Sequence, residues 1–293
     1  MEKIEENIQS SRELFRSNST KSVEWRRTNL KSMQKLINEN YTELCDALKK
    51  DLNKHEFETN ATEIGVIKNA ITYALGHLDS YTKPKKVAPI IQGRALYSTY
   101  VQYEPHGVVL IIGAWNYPLQ LTLVPLVGAM ASGNCAIIKP SELSEHTAKL
   151  LEELFPKYFL PNYIRIINGG IDETTALLKQ RFDYIFYTGS TAVGKIIMRA
   201  ASEYLTPVTL ECGGKSPTFI DDSADMELAA KRLMWGKFVN VGQTCIAPDY
   251  VLCTKETQEK ILPIMKRILV DFYGENAKES ECYGRIINTR HFE

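Results

Sequence analysis

The chain has 293 residues, of which 44% are hydrophobic, so it can bury the core of one large or two smaller globular domains. Its 35 basic and 35 acidic residues cancel, which removes a general electrostatic attraction to nucleic acid or to an anionic membrane. The longest apolar run, at 108–115, is far shorter than the roughly 20 residues of a membrane-spanning helix. We therefore expect no nucleic-acid partner and no membrane span in these residues.

The cysteines are spread along the chain, and no two of them form a C-x-x-C pair. They are Cys45, Cys135, Cys212, Cys245, Cys253 and Cys282. Disulfide scaffolds and zinc sites both use closely spaced cysteines, so this spacing predicts free thiols and no metal site. The N-terminus is too acidic for a signal peptide, and together these features favour a cytoplasmic location.

The first eighty residues are predicted to be helical. Within 30–52, apolar residues recur at steps of three and four: Leu30, Met33, Ile37, Tyr41, Leu44, Leu48 and Leu52. This spacing predicts one long amphipathic helix packed against a domain, and a coiled coil is the alternative. A β-hairpin is predicted at 85–104, because prolines interrupt the helix and 95–103 is rich in aromatic and β-branched residues. The lysine cluster at 83–86 fits a solvated linker better than a phosphate site.

From Pro105 onward, predicted strands and helices alternate. The strands are 108–112, 135–138, 163–167 and 184–187, and the helices are 119–132, 144–154, 172–179 and 191–203. This alternation requires crossover connections and predicts a doubly wound, Rossmann-like parallel α/β sheet. Further strands at 208–210, 217–220 and 250–253 and helices at 225–239 and 257–273 continue into a second α/β unit. We place the domain boundary after residue 210.

Polar or glycine-rich residues follow four of these strands, at the edge where an open α/β sheet binds ligands. They are Asn116, then Lys139 and Glu142, then Gly189, Ser190, Thr191, Ala192, Val193 and Gly194, then Glu211. The glycine-rich segment opens a helix and suits an anion, although it is not a G-x-G-x-x-G sequence and also fits a capped turn. Glu142 fits two roles: a carboxylate that accepts hydrogen bonds from ribose hydroxyls, or an ordinary acidic residue in the first turn of a helix.

Cys245 lies in a loop between a predicted helix and a predicted strand. A thiolate there would be a good nucleophile if backbone N–H groups lower its pKa, whereas an isolated cysteine is more often inert.

These segments together resemble the aldehyde dehydrogenase superfamily, and in detail its class 3, which includes the fatty aldehyde dehydrogenases. The motifs that carry the resemblance are Trp115-Asn116-Tyr117-Pro118, Lys139-Pro140-Ser141-Glu142, Tyr187-Thr188-Gly189-Ser190, Glu211-Cys212-Gly213-Gly214-Lys215 and Gly242-Gln243-Thr244-Cys245. They occur in the order that the family shows, and the similarity covers nearly the whole chain. Tyr187 stands where the family usually has phenylalanine, and Cys212 where it usually has leucine.

The resemblance implies a role for each candidate. Cys245 is expected to be the nucleophile, Asn116 with the Cys245 N–H the oxyanion hole, and Glu211 the general base that activates water. Lys139 and Glu142 are expected to hold the adenine-side ribose of NAD, and the segment 189–194 its phosphates, with NADP as an alternative cofactor.

The implied reaction is oxidation of an aldehyde to a carboxylic acid through a thiohemiacetal and a thioester on the cysteine. Partial burial is expected to raise the pKa of Glu211 toward neutrality. Release of the thioester to coenzyme A is an alternative, which a water-activating base disfavours.

Family members continue past Glu293, so the resemblance implies a C-terminally truncated chain. Residues 1–210 would form the NAD-binding domain and 211–293 part of the catalytic domain, with strands after Cys245 lacking sheet partners and apolar surface exposed. A longer form is expected to be a homodimer, with the hairpin at 85–104 as part of the bridging element between subunits, and a membrane anchor in it stays open. The alternative function is an inactive form that binds NAD or a full-length partner.

Overall fold

The computed structural model describes residues 2–88 and 98–293. Its helices are α1 Glu2–Arg16, α2 Val23–Glu39, α3 Tyr41–Leu52, α4 Glu56–Thr59, α5 Gly65–Thr82, α6 Gln120–Ser132, α7 Glu145–Tyr158, α8 Ile171–Leu178, α9 Thr191–Ser202, α10 Met226–Phe238, α11 Lys255–Tyr273 and α12 Thr289–Phe292. Its strands are β1 Lys85–Val87, β2 Thr99–Val101, β3 Val108–Ile112, β4 Cys135–Lys139, β5 Ile164–Ile166, β6 Tyr184–Thr188, β7 Val208–Glu211, β8 Ser216–Phe219 and β9 Pro248–Leu252.

A five-stranded parallel sheet organises the described residues, with strand order β5-β4-β3-β6-β7. Every residue of β3 and of β4 is buried, because helices cover both faces of the sheet. The chain order reverses between β3 and β6, and a crevice opens there at the carboxyl ends of the strands. The predicted doubly wound α/β fold is confirmed.

The predicted single helix over 30–52 is wrong, because Asn40 divides it into α2 and α3. The Asn40 backbone leaves the helical region, with φ −117° and ψ 29°. Its side-chain amide donates to the Leu36 carbonyl oxygen at 2.8 Å and to the Tyr158 hydroxyl at 2.9 Å. The apolar face nevertheless continues through the break, since Ile37 and Leu44 on either side are fully buried. Periodicity therefore identified the buried face but not the turn within it.

Strands β1 and β2 form an antiparallel pair whose residues are all exposed, as the predicted hairpin requires. The turn of that hairpin and the first part of its second predicted strand, at 89–97, lie outside the described residues.

A second, smaller parallel pair joins β8 to β9 and carries its own core under α10 and α11. The expectation that strands after Cys245 lack partners is therefore wrong for β9. Strand β7, which precedes β8 along the chain, belongs to the first sheet, so residues 212–215 connect the two sheets. The expected exposure of apolar surface is confirmed at Phe219, which is 74% exposed, and at Leu252, which is 50% exposed.

Candidate active site

The loop that carries Cys245 begins with a strained turn at the end of α10. Asn240 and Val241 both adopt the left-handed helical region, with φ of 53° and 58°. This conformation is unfavourable for a β-branched residue and persists only where surrounding contacts enforce it. Asn240 is 1% exposed, and its backbone N–H donates to Glu58 Oε1 at 2.9 Å. Cys245, five positions further on, is exposed.

Asn116 joins the loop after β3 to the Cys245 loop through both its side chain and its backbone. Its Nδ2 donates to the Gln243 carbonyl oxygen at 2.8 Å. Its own carbonyl oxygen accepts a hydrogen bond from Asn240 Nδ2 at 2.7 Å. These two bonds fix the Asn116 amide beside the backbone that leads to Cys245.

Tyr117 adds a second link between the same two loops. Its hydroxyl lies 2.6 Å from Thr244 Oγ1, in the residue before Cys245. Burial raises the pKa of Tyr117 to about 12, so the hydroxyl stays protonated at neutral pH.

A fully buried ion pair lies beneath the loop after β3. The side chains of Lys54 and Glu63 are both 0% exposed and contact each other directly. Lys54 Nζ also donates to the Asn116 carbonyl oxygen at 3.0 Å and lies 4.1 Å from the centre of the Tyr117 ring. Glu63 Oε2 accepts the N–H of Leu119 at 2.8 Å. Each residue from 116 to 119 except Pro118 therefore contacts this pair.

Glu211 ends β7, and its side chain is exposed. The partial burial that we expected at this carboxylate is absent from the described structure. The chain then passes beside the Cys245 loop, because a methyl group added at Gly214 would lie 2.6 Å from the Cys245 carbonyl oxygen. The carboxyl end of β7 and the Cys245 loop are thus neighbours.

Lys139 and Glu142 form an ion pair at the end of β4. Lys139 is 2% exposed, and its Nζ lies 2.7 Å from Glu142 Oε2 and 2.8 Å from the Pro140 carbonyl oxygen. Burial acts to raise the pKa of Glu142, but the hydrogen bond from Lys139 and its positive charge outweigh burial and hold that pKa below the ordinary value. The carboxylate stays ionised, with one oxygen engaged by Lys139.

The segment that follows β6 turns directly into α9. Ser190 caps this helix by accepting the Val193 N–H at 3.3 Å. A methyl group at Gly189 would lie 2.6 Å from Cζ of Tyr187 and closer still to its hydroxyl, so any larger residue would force the ring or the turn to move. At Gly194 the nearest atom would be 3.6 Å away, which is an ordinary contact. Glycine is therefore sterically favoured at the first position and not at the second.

Sequence reasoning did not identify Lys54, Glu63, Glu58 or Asn240. Each is a polar residue with little side-chain exposure that touches the 116–119 loop or the start of the Cys245 loop. Their partners lie 9 to 182 positions away along the chain, so no local pattern marks them. One hint of this buried pair was present in the sequence, which was that Glu63 is an acidic residue directly before the apolar residues of α5.

The sequence matches the aldehyde dehydrogenase family over residues 1–293, which is the whole chain. This chain belongs to that family. It is 48% identical over 293 residues to the Rattus norvegicus protein named "Aldehyde dehydrogenase, dimeric NADP-preferring", covering all of this chain and 64% of that relative. It is 49% identical over 290 residues to "Aldehyde dehydrogenase family 3 member A2" of Rattus norvegicus, covering 99% of this chain and 60% of the relative. The predicted resemblance to class 3 is confirmed, and the chain spans less than two thirds of either relative.

Solved structures of aldehyde dehydrogenases have the same fold. The substrate-bound state of Staphylococcus aureus AldH superposes with a TM-score of 0.94 at 43% identity, covering 99% of this chain and 63% of that one. A Staphylococcus aureus betaine aldehyde dehydrogenase in complex with NAD+ superposes with a TM-score of 0.87 at 27% identity, covering 99% and 58%.

Within residues 2–88 and 98–293, no helix combines the length and apolar character needed to cross a membrane. No group of three or more metal-ligating side chains occurs there either.

Proposed function

We propose that this aldehyde dehydrogenase family chain oxidises aldehydes to carboxylic acids with NAD, or NADP, as the cofactor. Residues 1–210 would form the cofactor-binding domain and 211–293 part of the catalytic domain. The observation that carries the proposal is the bond from Asn116 Nδ2 to the Gln243 carbonyl oxygen, because it unites the loop after β3 with the loop of Cys245. A donor amide and an exposed thiol then share one crevice at the reversal point of the sheet.

The cofactor site is proposed at the ends of β4 and β6. The N-terminus of α9, at Thr191 and Ala192, would present backbone N–H groups to a phosphate, and Gly189 keeps a side chain out of that turn. The Thr188 hydroxyl, at the end of β6, is buried there with no partner among the described residues. The ionised Glu142 would accept hydrogen bonds from ribose hydroxyls. These donors and acceptors fit a dinucleotide, which would supply the hydride acceptor.

The chemistry on the protein side begins with addition of the Cys245 thiolate to the aldehyde carbon. One N–H of the Asn116 amide is used by Gln243, and the second would donate to the developing oxyanion. Losing one such donor typically lowers the rate on the order of 10²–10³-fold. After hydride loss, Glu211 would take a proton from the water that hydrolyses the Cys245 thioester. Thiolate, amide and carboxylate form one consistent set for acid formation.

The relative named dimeric and NADP-preferring supports two further proposals. We propose that a longer form of this protein dimerises, with the exposed β1–β2 hairpin contributing to the interface, and that NADP is accepted as well as NAD. A cytoplasmic location is proposed for the described part of the chain.

The test is NADH formation by the 293-residue chain with a medium-chain aldehyde, beside Cys245→Ala and Cys282→Ala. Cys282 is the matched control because it is the other exposed cysteine of the described chain. We expect loss of NADH formation in Cys245→Ala alone, with NAD binding kept. Activity that survives Cys245→Ala would overturn the nucleophile assignment. A folded chain that binds NAD and forms no NADH would instead support the binding-only alternative.

A further inference from the structure

We propose that the buried Lys54–Glu63 ion pair is a positioning pair that sets the orientation of Asn116. Lys54 is the positioning residue, since its ammonium donates to the Asn116 carbonyl oxygen at 3.0 Å. The inference rests on the proposed function, in which the Asn116 amide binds the oxyanion. Neither charged side chain reaches the crevice, because both are 0% exposed.

Lys54 contacts Asn116 and Tyr117, in the middle of the loop after β3. A lysine ammonium has three N–H groups and no acceptor. One contacts Glu63, one contacts the Asn116 carbonyl oxygen, and the charge lies 4.1 Å from the centre of the Tyr117 ring. One buried ammonium therefore contacts both the Asn116 backbone and the Tyr117 ring.

Glu63 holds the C-terminal end of the same loop. Its Oε2 accepts the N–H of Leu119 at 2.8 Å and the N–H of Gln120 at 3.2 Å, at the first turn of α6. Lys54 and Glu63 together fix the loop at its middle and at its C-terminal end. A loop clamped in this way cannot shift along the sheet without breaking a buried charged contact, which is costly.

The placement of the pair distinguishes it from a general stabilising contact. Arg12 and Asp183 form a comparable pair elsewhere, with Nη1 and Oδ2 separated by 2.8 Å. Asp183 also accepts a backbone N–H, from Val108 at 2.8 Å, but at the amino end of β3. The two pairs are similar in chemistry and lie at opposite ends of one strand. Only the Lys54 pair reaches the Asn116 loop.

The experiment compares Lys54→Met, the double variant Lys54→Met/Glu63→Gln, Asn116→Ala and the control Arg12→Met. The single variant leaves Glu63 buried without its partner, whereas the double variant removes both charges and keeps an acceptor for Leu119. We expect the free energy of unfolding to fall in Lys54→Met and to recover in the double variant. We expect kcat to fall by about tenfold to a hundredfold in both, with KM little changed, because both lack the bond to Asn116.

A merely structural role predicts a different pattern, in which kcat recovers together with stability in the double variant. That result would overturn the positioning role. Arg12→Met is expected to lower stability while leaving kcat at the parent value. If Asn116→Ala keeps the parent kcat, the proposed oxyanion role fails and the positioning role fails with it. If Asn116→Ala loses activity and the double variant does not, only the positioning role fails.

A second readout does not require turnover. Iodoacetamide labels Cys245 at a rate that reports its ionisation and access, and mass spectrometry separates that site from Cys282. In the double variant, we expect the pH dependence of the Cys245 labelling rate to shift in the same direction as in Asn116→Ala. The pH dependence of the Cys282 labelling rate should stay unchanged. A Cys245 profile that moves in Asn116→Ala and stays at the parent position in the double variant would contradict the proposal.

Discussion

The substitution Gly189→Ala tests how the turn after β6 is built. A methyl group at this position would lie 2.6 Å from Cζ of Tyr187, whereas two carbons need about 3.5 Å or more. Either the Tyr187 ring or the turn must therefore move by about 1 Å. Tyr187 is 4% exposed and its hydroxyl donates to the Ser190 carbonyl oxygen, so the ring has little room. Such overpacking typically costs about 1–3 kcal/mol.

The same displacement should weaken cofactor binding. A shift of about 1 Å takes a hydrogen bond of ordinary length beyond its useful range. Losing one charge-assisted bond from the start of α9 to a phosphate costs about 1.5–3 kcal/mol, which is roughly tenfold to a hundredfold in the dissociation constant for NAD. Urea denaturation measures the change in stability, and calorimetric titration with NAD measures the change in affinity.

Gly194→Ala is the matched control, because it lies five residues further on, inside α9, and makes the same chemical change. Its methyl group would meet nothing closer than 3.6 Å. Alanine is favoured over glycine inside a helix by up to about 1 kcal/mol, so this variant should be as stable as the parent or more stable. Adding Tyr187→Phe to Gly189→Ala removes the closest contact and should restore part of the loss. Equal effects of the two glycine substitutions would refute the steric reasoning.

Three further outcomes are expected. Asp51→Ala should lower the free energy of unfolding by about 1–3 kcal/mol in a urea titration. The reason is that Asp51 accepts two backbone N–H groups and a hydroxyl at the start of α7. The control Asp46→Ala, on the exposed face of α3, should leave the free energy of unfolding nearly unchanged. Burial raises the pKa of Glu58 in the folded protein, so as the pH rises above about 4.3 this side chain loses its proton in the unfolded chain before it does so in the folded one, and the free energy of unfolding falls. Glu58→Gln should flatten that decline in denaturation curves taken across this pH range. An unchanged slope would contradict the prediction. Glu211→Gln should slow steady NADH formation more than the first-turnover burst in rapid-mixing kinetics, and equal slowing of both would count against its role as the base.

The sheet was predictable because its strands carry their signal locally. The continuous apolar run of β3 and the crossover alternation after it identified the parallel sheet, and the predicted strand over 108–112 has the observed bounds. Helix ends were less predictable. Helix α7 continues to Tyr158, past the predicted end at 154, with Pro156 inside it. At the break between α2 and α3, Asn40 donates a hydrogen bond to Tyr158, a residue 118 positions further along the chain.

The candidate site divides in the same way. The residues proposed to touch substrate or cofactor lie directly after strands or in the Cys245 loop, where sequence motifs made them visible. The residues that hold those segments have no motif, because each acts on a backbone group brought near by the fold. Glu58 contacts Asn240 across 182 positions, and Asn116 contacts Gln243 across 127. Such pairs become apparent only when the chain has been folded.

The need for a buried ion pair at this place follows from the shape of the loop after β3. A helix or a strand satisfies its own backbone groups, whereas an irregular turn leaves them without partners. The Asn116 carbonyl oxygen and the Leu119 N–H point into the interior, where an unpaired polar group costs about 1–3 kcal/mol. An apolar pair would fill the volume of Lys54 and Glu63 equally well, but it would leave the Leu119 N–H without a partner and the Asn116 carbonyl oxygen with Asn240 Nδ2 alone. The ion pair therefore allows the chain to keep an irregular loop, with its exposed amide, against a buried core.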